Sequence, residues 1–331
     1  MTTTPIPGVA EHAHGFRGVP EALYLRDHLI RQIDLAAMSD DPLEREARLT
    51  FVVCGAGYTG TEVTAQGQLF TRQLAASRGL GDDAARWVLV SRGEVLAGLD
   101  QHLSRTADRV LRERGVEVHT GTTIEEATSS GVRLDTGEEV CARTLVWCVG
   151  VRPDPLIDDL GVEVQAGRVV TDSFLTVPGH PEMFACGDAA AVPDPSRPGE
   201  YCAMTAQHAV RQGRLVGRNL AASLGTGRPK KYKHRDLGFV VDLGGFRAAA
   251  NPLHIPITGR LAHTVARGYH LLSMPGNRAR IALDWTADAV TSRQTAQLGL
   301  VRSPAVPLDT ASPEVPQHHL GFPHQRTLRD T

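Results

Sequence analysis

Apolar runs with strand-like spacing alternate with helical patterns between residues 49 and 150. The strand-like runs cover 49–54, 87–90, 115–120 and 144–149. Apolar positions at helical spacing cover 61–77 and 104–114. Two shorter runs, 132–134 and 139–141, flank an Asp-Thr-Gly turn and predict a hairpin. This order predicts an α/β fold with a parallel sheet covered by helices and a small antiparallel insert.

The residues before this region are predicted to contribute one long helix. An apolar stripe at helical spacing runs along 20–38. Residues 1–18 are rich in Pro, Gly and His, and we predict no regular structure for them. The pair Asp41-Pro42 favours a second, short helical turn because Pro is tolerated at the start of a helix.

The residues after position 150 contain shorter elements. After a turn-rich joint at 150–155, strands are predicted at 168–171 and 183–191 and a helix at 204–223. A Gly/Pro/Lys-rich break at 225–231 precedes 232–302, which predict short strands and one helix. The tail from residue 303 is rich in Pro and His and is predicted to be disordered.

Composition narrows the class of protein. The 331 residues can form two domains with separate cores, and a net charge of −2 gives no field that favours nucleic acid. Five cysteines form no Cys-x-x-Cys pair, which is against a zinc site or a redox dithiol. The pairs His12/His14 and His318/His319 have no group of carboxylate or cysteine ligands with them, so no metal is expected. Neither a signal peptide nor an apolar run of roughly 18 residues is visible, so we expect a cytoplasmic protein.

A glycine motif lies between the first predicted strand and the first helix of the α/β region. Gly55, Gly57 and Gly60 match the GxGxxG spacing of dinucleotide-binding loops. The first glycine permits a tight turn, the second lets a pyrophosphate approach, and the third lets helix and strand pack closely. The helix N-terminus then offers N–H groups to the phosphates.

Neighbouring residues bear on the choice of cofactor. Glu62 in the first helical turn is either a residue that favours the helix dipole or a functional carboxylate. The second strand ends in Ser91 and Arg92, where an NAD-selective site usually has an acidic residue. Arg92 tolerates a 2′-phosphate and Glu94 can substitute for the acidic residue, so NADH and NADPH both stay open.

A second constellation lies beyond the first domain. An apolar strand ends in Gly187 and Asp188, which places a carboxylate at the carboxyl end of a strand, where α/β folds bind ligands. Ala206 and Gln207 follow at the start of a predicted helix. Each of these short motifs is weak evidence for a ligand site alone. Their order along the chain is what indicates a function.

The chain resembles the two-dinucleotide-domain flavoprotein oxidoreductases, and among them the type II NADH dehydrogenases of actinobacterial type. The resemblance runs from about residue 7 to 302 and is carried by FVVCGAGYTGTEV, TLVWCVGVRPDP, VPGHPEMFACGDAA and MTAQHAVRQG. It implies an FAD domain, an inserted NAD(P) domain, and a C-terminal domain that supports dimers and peripheral contact with the inner face of the cell membrane. It further implies that hydride passes from NAD(P)H to FAD, and electrons then pass to a quinone-like acceptor.

The resemblance also implies residue roles. Gly55, Gly57 and Gly60 hold the NAD(P) pyrophosphate, and Ser91 and Arg92 lie at its ribose end. The remaining implied positions are Glu62 near nicotinamide and flavin, Gly150 where the two rings meet, Gly187 and Asp188 at the FAD ribityl chain, and Ala206 and Gln207 beside the isoalloxazine and the quinone entrance. Many type II enzymes continue Ala-Gln-x-Ala-x-Gln, whereas here Arg211 takes the last position.

The resemblance divides the chain into five parts. They are a remnant of the FAD domain with a linker helix (1–48), the NAD(P) domain (49–150), the C-terminal part of the FAD domain (151–225), the dimer or membrane-interface domain (226–302) and the tail (303–331). The family's first GxGxxG, for the FAD adenine half, has no counterpart here, so a truncated fold is expected. A fragment that binds NAD(P) without flavin, and a half-enzyme that needs a partner chain, are the alternatives.

Overall fold

The computed structural model describes residues 6–150, 153–274, 276–291, 295–306 and 308. Its helices are α1 (Val9–His12), α2 (Val19–Met38), α3 (Pro42–Leu49), α4 (Tyr58–Ser77), α5 (Gln101–Glu113), α6 (Ala206–Ser223), α7 (Gly259–Ser273) and α8 (Arg278–Val290). Its strands are β1 (Ala13–His14), β2 (Thr50–Cys54), β3 (Arg86–Ser91), β4 (Glu117–Thr120), β5 (Ile124–Thr128), β6 (Gly131–Leu134), β7 (Glu139–Cys141), β8 (Thr144–Trp147), β9 (Val164–Gln165), β10 (Arg168–Val170), β11 (Thr176–Val177), β12 (His180–Phe184), β13 (Ala190–Ala191), β14 (Val240–Asp242), β15 (Ala248–Ala250) and β16 (Ile257–Thr258).

The described residues form two compact units. One contains the chain up to Val149 together with the segment from Gly238 onwards, and the other contains Gly150–Leu237. The five-part division by domain role stays a prediction, because contacts alone do not test those roles. Among the described helices, none has the length and apolar character needed to cross a bilayer.

The first unit is built on a parallel sheet, as the alternating pattern predicts. Its strand order is β1-β8-β2-β3-β4, and every neighbouring pair is parallel. All five residues of β2 are buried because the sheet carries an apolar core on each face. Phe51 stacks on Trp87 with ring centroids 5.0 Å apart, and the Trp87 indole donates to Thr71 Oγ1 at 2.9 Å.

The N-terminal residues are more regular than predicted. The expectation of an irregular 1–18 is wrong for 9–14, which form α1 and β1. β1 pairs with β8, and Ala13 lies opposite Leu145. Two residues are too few to create a visible periodicity, and the strand exists because β8 offers it an unpaired edge.

The predicted hairpin is part of a three-stranded antiparallel sheet, β5-β6-β7. β5 was not predicted because its sequence, Ile-Glu-Glu-Ala-Thr, is mostly polar and because its register shifts between Ile124 and Glu126. Such a bulge breaks the alternation of apolar and polar positions that marks a strand.

The segment from Gly238 onwards adds β14-β15-β16 and two helices, where one helix was predicted. β15 is Ala-Ala-Ala and is fully buried. Ordered structure also extends past residue 302: Ser303–Ala305 form a 3₁₀ turn, and the Leu308 carbonyl accepts from Arg17 at 2.8 Å. Residues 309–331, which the prediction assigned to a disordered tail, lie outside the described residues.

The second unit has short strands and one long helix. β10 pairs with β13 and β9, and β11 pairs with β12. The strand predicted at 183–191 is interrupted by a 3₁₀ turn at Gly187–Ala189. α6 covers most of the predicted helix at 204–223, and its N-cap is Thr205, whose side chain accepts from His208 N at 3.4 Å.

Candidate functional site

The glycine loop after β2 has the backbone geometry that its motif predicts. Gly55 has φ +104°, where a β-carbon is unfavourable, and its N–H donates to Val90 O at 2.8 Å. A β-carbon on Gly60 would lie 1.7 Å from Gly55 O, so only glycine permits this approach of α4 to the loop. These two glycines are therefore required by the packing of the chain itself.

Gly57 differs from its two neighbours. It has φ −73°, and a β-carbon there would meet no atom within 4 Å. Internal packing therefore gives no reason for glycine at this position. The open space in front of Gly57 lies at the N-terminus of α4, where backbone N–H groups and the helix dipole attract anions. This arrangement fits a pyrophosphate held against the loop.

The residues that follow β3 lie at the same edge of the sheet as this loop. Ser91 ends β3, and its Oγ accepts from Gly93 N at 3.3 Å, while Arg92 and Glu94 are exposed. The N–H of Leu96 donates to Ala56 O at 2.7 Å and ties this connection to the glycine loop. Both charged side chains are thus free to face a nucleotide ribose, and the choice of NADH or NADPH stays open.

Glu62 contacts a residue that sequence inspection did not identify. Its Oε1 accepts from the backbone N–H of Asp242 at 2.8 Å, across 180 positions of sequence. Burial raises the pKa of Glu62, the hydrogen bond from Asp242 opposes this effect, and the negative charge of Asp242 adds to it. A carboxyl group in such surroundings holds its proton more tightly than a solvated one.

Glu62 also lines a cavity of about 390 Å³ in the first unit. The cavity lies between the first turn of α4 and the start of α2. Its lining residues are Phe16, Arg17, Gly18, Val19, Ala22, Thr59 and Glu62. The contribution of residues 16–22 was not predicted, because nothing in their local pattern shows that α2 begins beside α4.

The second constellation is ordered by a side chain within the second unit. Gly187 has φ +66°, and its N–H donates to the Oε1 of Gln212 at 2.7 Å. Gln212 is buried, whereas Asp188 is exposed at the end of β12. The carboxylate is thus presented to solvent on a turn whose backbone is fixed from behind.

The residues at the start of α6 take different positions. Ala206 is exposed, and Gln207 accepts from Leu237 N at 3.3 Å through its Oε1. Gly150, with φ +75°, is exposed and has open space where a β-carbon would lie. Arg211, which departs from the family pattern, donates to His234 Nδ1 at 2.9 Å and to the Arg235 carbonyl at 2.7 Å.

A network of polar aromatic side chains adjoins α6 and was missed by sequence inspection. His208 Nδ1 lies 2.9 Å from Tyr232 Oη, and the His208 ring stacks on His234 at 4.0 Å. Burial is the main cause that lowers the pKa of both histidines and raises that of Tyr232 to about 12. Tyr232 and His234 of the basic run at 230–235 therefore pack against α6.

The structure brings the predicted residues together in two groups. Gly55, Gly57, Gly60, Glu62, Ser91 and Arg92 gather at the carboxyl ends of β2 and β3 in the first unit. Gly187, Asp188, Ala206 and Gln207 gather around the start of α6 in the second. Within the described residues, no cluster of His, Cys, Asp or Glu is placed to hold a metal ion.

The profile of the pyridine nucleotide-disulphide oxidoreductase family matches residues 1–213. The chain belongs to this family. Its five cysteines are all free, and burial raises the pKa of Cys54 and Cys148 to about 12. The two thiols lie on different sides of the sheet, because Cys54 packs in one apolar core and Cys148 against the other.

Curated relatives agree with the assignment of the chain to this family. The chain is 30% identical over 302 residues to the type II NADH:quinone oxidoreductase Ndh of Mycobacterium tuberculosis, covering 86% of this chain and 64% of that protein. It is 28% identical over 266 residues to the type II NADH:quinone oxidoreductase of Staphylococcus aureus, covering 78% and 65%. This family member thus spans slightly less than two thirds of these curated relatives.

The fold is shared with solved structures at lower identity. The NDH2 of Plasmodium falciparum, solved in complex with NADH, superposes with a TM-score of 0.80 at 16% identity, covering 89% of this chain and 77% of that chain. A water-forming NADH oxidase from Lactobacillus brevis gives a TM-score of 0.55 at 23% identity and covers 76% and 50%. These likenesses confirm the predicted two-dinucleotide-domain flavoprotein fold.

Proposed function

We propose that this chain acts as an NAD(P)H dehydrogenase that passes hydride to FAD and electrons on to a quinone-like acceptor. The observation that carries the proposal is the open Gly57 at the N-terminus of α4, between two glycines that packing requires. Internal packing does not require glycine at that position, and a ligand that approaches the backbone would. The relatives named type II NADH:quinone oxidoreductases support the choice of reaction.

The residues of the first unit bind and orient the nicotinamide cofactor in this proposal. The backbone of Gly55–Gly60 and the start of α4 hold the pyrophosphate, and Arg92 or Glu94 selects the ribose substituent. Burial raises the pKa of Glu62, which lines the cavity of about 390 Å³, so its carboxyl group holds a proton more tightly than a solvated glutamate does. In its protonated form it can donate a hydrogen bond or a proton to a bound ring.

The residues of the second unit fit a flavin. Bound FAD would supply an acceptor for the two electrons of a hydride and release them to the next acceptor. Asp188 can accept a hydrogen bond from a ribityl hydroxyl, since its carboxylate is exposed on a turn whose N–H is already satisfied by Gln212. Gly150 and Ala206 leave room for a planar ring because neither places a bulky side chain in its way.

The quinone-like acceptor rests on Gln207 and Ala206 and on the names of the relatives. Arg211 replaces the glutamine that many type II enzymes have, and its guanidinium is engaged by His234 and by the Arg235 carbonyl. Homodimers and contact with the inner face of the membrane belong to the same proposal.

A second candidate follows from the motif count. Only one GxGxxG of the dinucleotide-binding type occurs in the 331 residues, and it belongs to the NAD(P) loop. The chain would then bind NAD(P) without flavin, or would need a partner chain that carries the other dinucleotide unit. Both versions retain the glycine loop and differ only in whether FAD is bound.

A visible absorption spectrum of the purified chain, with and without added FAD, separates these candidates. The proposed dehydrogenase should show the two flavin bands, and NADH should bleach them under anaerobic conditions. Gly57→Val should abolish NADH binding, whereas Gly217→Val, at an open and exposed glycine of α6, should not. A colourless protein that binds NADH would contradict the dehydrogenase and support the second candidate.

A further inference from the structure

The contact between Glu62 and Asp242 closes the outer edge of a small sheet. β14 pairs with β15 on one side, with Val241 opposite Ala249 and Asp242 opposite Ala248. Phe239 O accepts from Asn251 N, and Leu243 N donates to Arg247 O, and both partners flank β15. In an antiparallel pair the residues between such bonds face outward, so Asp242 points its N–H away from β15. Glu62 accepts this N–H at 2.8 Å. The carboxylate of α4 thus holds a strand edge that would otherwise be unpaired.

The side chain of Asp242 is itself fixed. Its Oδ1 accepts from Gly244 N at 2.8 Å, which locks the turn after β14. On α7, His263 Nδ1 lies 3.6 Å from Oδ1, and Arg267 lies 4.0 Å from Oδ2. Arg267 in turn lies over the Trp285 ring, with its guanidinium carbon 4.6 Å from the centroid. The anion therefore has a defined position near Glu62.

The turn that carries Asp242 is pressed against α4. A β-carbon on Gly244 would lie 2.8 Å from the side chain of Leu69 and 3.0 Å from Gln66 Oε1, so helix and turn are in close contact. Arg114 donates to the carbonyls of Leu243 and Gly244. Because both ends of the contact are held, the Glu62 carboxylate has little freedom to move away from Asp242.

Several charged groups surround the pair. His263 and Arg267 face Asp242 from α7, and Arg114 faces it from the end of α5. Arg17 lines the cavity beside Glu62 and is paired with Glu21 at 3.8 Å. Three basic side chains thus lie around Asp242 and Arg17 lines the cavity beside Glu62, while Asp242 is the charged group whose interaction raises the pKa of Glu62. Loss of the Asp242 charge therefore acts on Glu62 directly.

We propose that Asp242 is a positioning residue for Glu62: its backbone N–H fixes one carboxylate oxygen, and its anchored side-chain charge favours the protonated form of that carboxyl group. This inference rests on the function proposed for Glu62 and adds a residue that belongs to a different part of the chain. A neutral Glu62 can donate to a ligand in the cavity, whereas an ionised one can only accept. The Asp242 charge would thereby add to burial in favouring the donating, neutral form of Glu62.

The test is a titration of Glu62 by carbon NMR on the full chain with carboxyl-labelled glutamate. The Glu62 signal is identified by its absence in Glu62→Gln. Asp242→Asn keeps the backbone N–H and an oxygen for Gly244 but removes the charge, so the Glu62 midpoint should fall. Glu113→Gln, which also removes a charge near Arg114, is the matched control and should leave the midpoint unchanged.

The outcomes separate this inference from the proposed function. An unchanged midpoint in Asp242→Asn overturns the inference. A shifted midpoint supports it, even if NADH oxidation proves independent of Glu62, a result that would instead remove the catalytic role proposed for Glu62. If NADH oxidation depends on Glu62, its pH profile should move with the midpoint in the same direction.

A second measurement does not depend on Asp242→Asn being folded. Amide hydrogen exchange at Asp242 reports the backbone contact in the unmodified chain. Glu62→Ala removes the acceptor and should speed exchange at Asp242 by about tenfold, whereas Glu62→Gln keeps an oxygen acceptor and should change it less. Equal exchange in the unmodified chain and in Glu62→Ala would overturn the positioning contact.

Discussion

The glycine loop at Gly55–Gly60 and the glycine turn at Gly187–Asp188 are held by different kinds of contact. The first is held by backbone against backbone, since Gly60 approaches Gly55 O so closely that a β-carbon would lie 1.7 Å from it. The second is held by one buried side chain, Gln212, which accepts the Gly187 N–H at 2.7 Å. The loop therefore tolerates no side chain at Gly60. The turn depends instead on the side-chain amide of Gln212, which a single substitution can remove.

The cores around the two motifs also differ, in their size and in their use of buried polar groups. β2 and β3 lie in a five-stranded sheet with an apolar core on each face. The second unit has smaller apolar clusters around Leu175 and Val169 and depends on buried polar groups such as Asn219, which bonds to Phe174 O and Lys230 O. A large core sets geometry through shape, and a small one needs directed hydrogen bonds.

Acid should destabilise the first unit most. Burial lowers the pKa of His14 to about 4 and that of His28 to about 3, so both stay neutral in the folded chain while the unfolded chain is protonated from pH 6.5 downwards. Above pH 6.5 both histidines are neutral in the folded and in the unfolded chain, so they cost no stability there. Below pH 6.5 the unfolded chain takes up protons first, and the free energy of unfolding decreases as the pH falls toward 3. At pH 5 the expected loss is about 4 kcal/mol for the pair.

Tryptophan fluorescence measures this loss selectively, because Trp87, Trp147 and Trp285 all belong to the first unit. Urea unfolding at pH 7 and pH 5 gives the difference in the free energy of unfolding. His28→Asn keeps a polar partner for Thr144, which lies 2.9 Å from the ring, and should remove about half of the acid effect. An acid slope that is the same in His28→Asn would show that other groups are responsible.

Gly60→Ala should lower the free energy of unfolding of the first unit by about 3 kcal/mol, because the new methyl group collides with Gly55 O. Urea unfolding followed by tryptophan fluorescence gives the change. Gly57→Ala is the matched control: its space is open, so the cost to stability should be about 1 kcal/mol or less. Similar losses in both variants would show that the loop is not held by backbone packing.

Gln212→Leu should cost the second unit about 2 kcal/mol, because the Gly187 N–H loses its buried acceptor. The first unit should be unaffected, so its tryptophan-detected unfolding should not change. Hydrogen exchange of peptides covering 184–190 should accelerate, while Arg214→Leu on the exposed side of α6 should leave it near the unmodified rate. Unchanged exchange in Gln212→Leu would mean that the turn has other support.

Arg92→Ala should have the smallest effect and should act on binding alone. The side chain is exposed, so stability should change by less than about 0.5 kcal/mol. If the guanidinium meets a 2′-phosphate, NADPH binding should weaken by up to about tenfold while NADH binding changes little. Titration calorimetry with both nucleotides compares them, and equal weakening would remove this role from Arg92.

The accuracy of the sequence-based prediction followed the strength of local patterns. β2, β3 and α4 were predicted nearly in full because long apolar runs and a GxGxxG loop mark them. β1 and β5 were missed because one has only two residues and the other is polar and bulged. Only one helix was predicted within 232–302, where α7 and α8 both lie, since a short connection between two helices leaves a weak signal in composition.

The residues of the candidate sites show the same dependence on local sequence patterns. The sequence by itself determined the glycine loop, since the main constraint on Gly60 comes from Gly55 O within the same motif, and it determined the order of motifs by which the family was suspected. Only the tertiary structure decided that Glu62 meets Asp242, that Gln212 holds Gly187, and that residues 16–22 line a cavity with Glu62. Each of these contacts joins groups far apart in sequence, and their geometry exists only once separate elements have packed together.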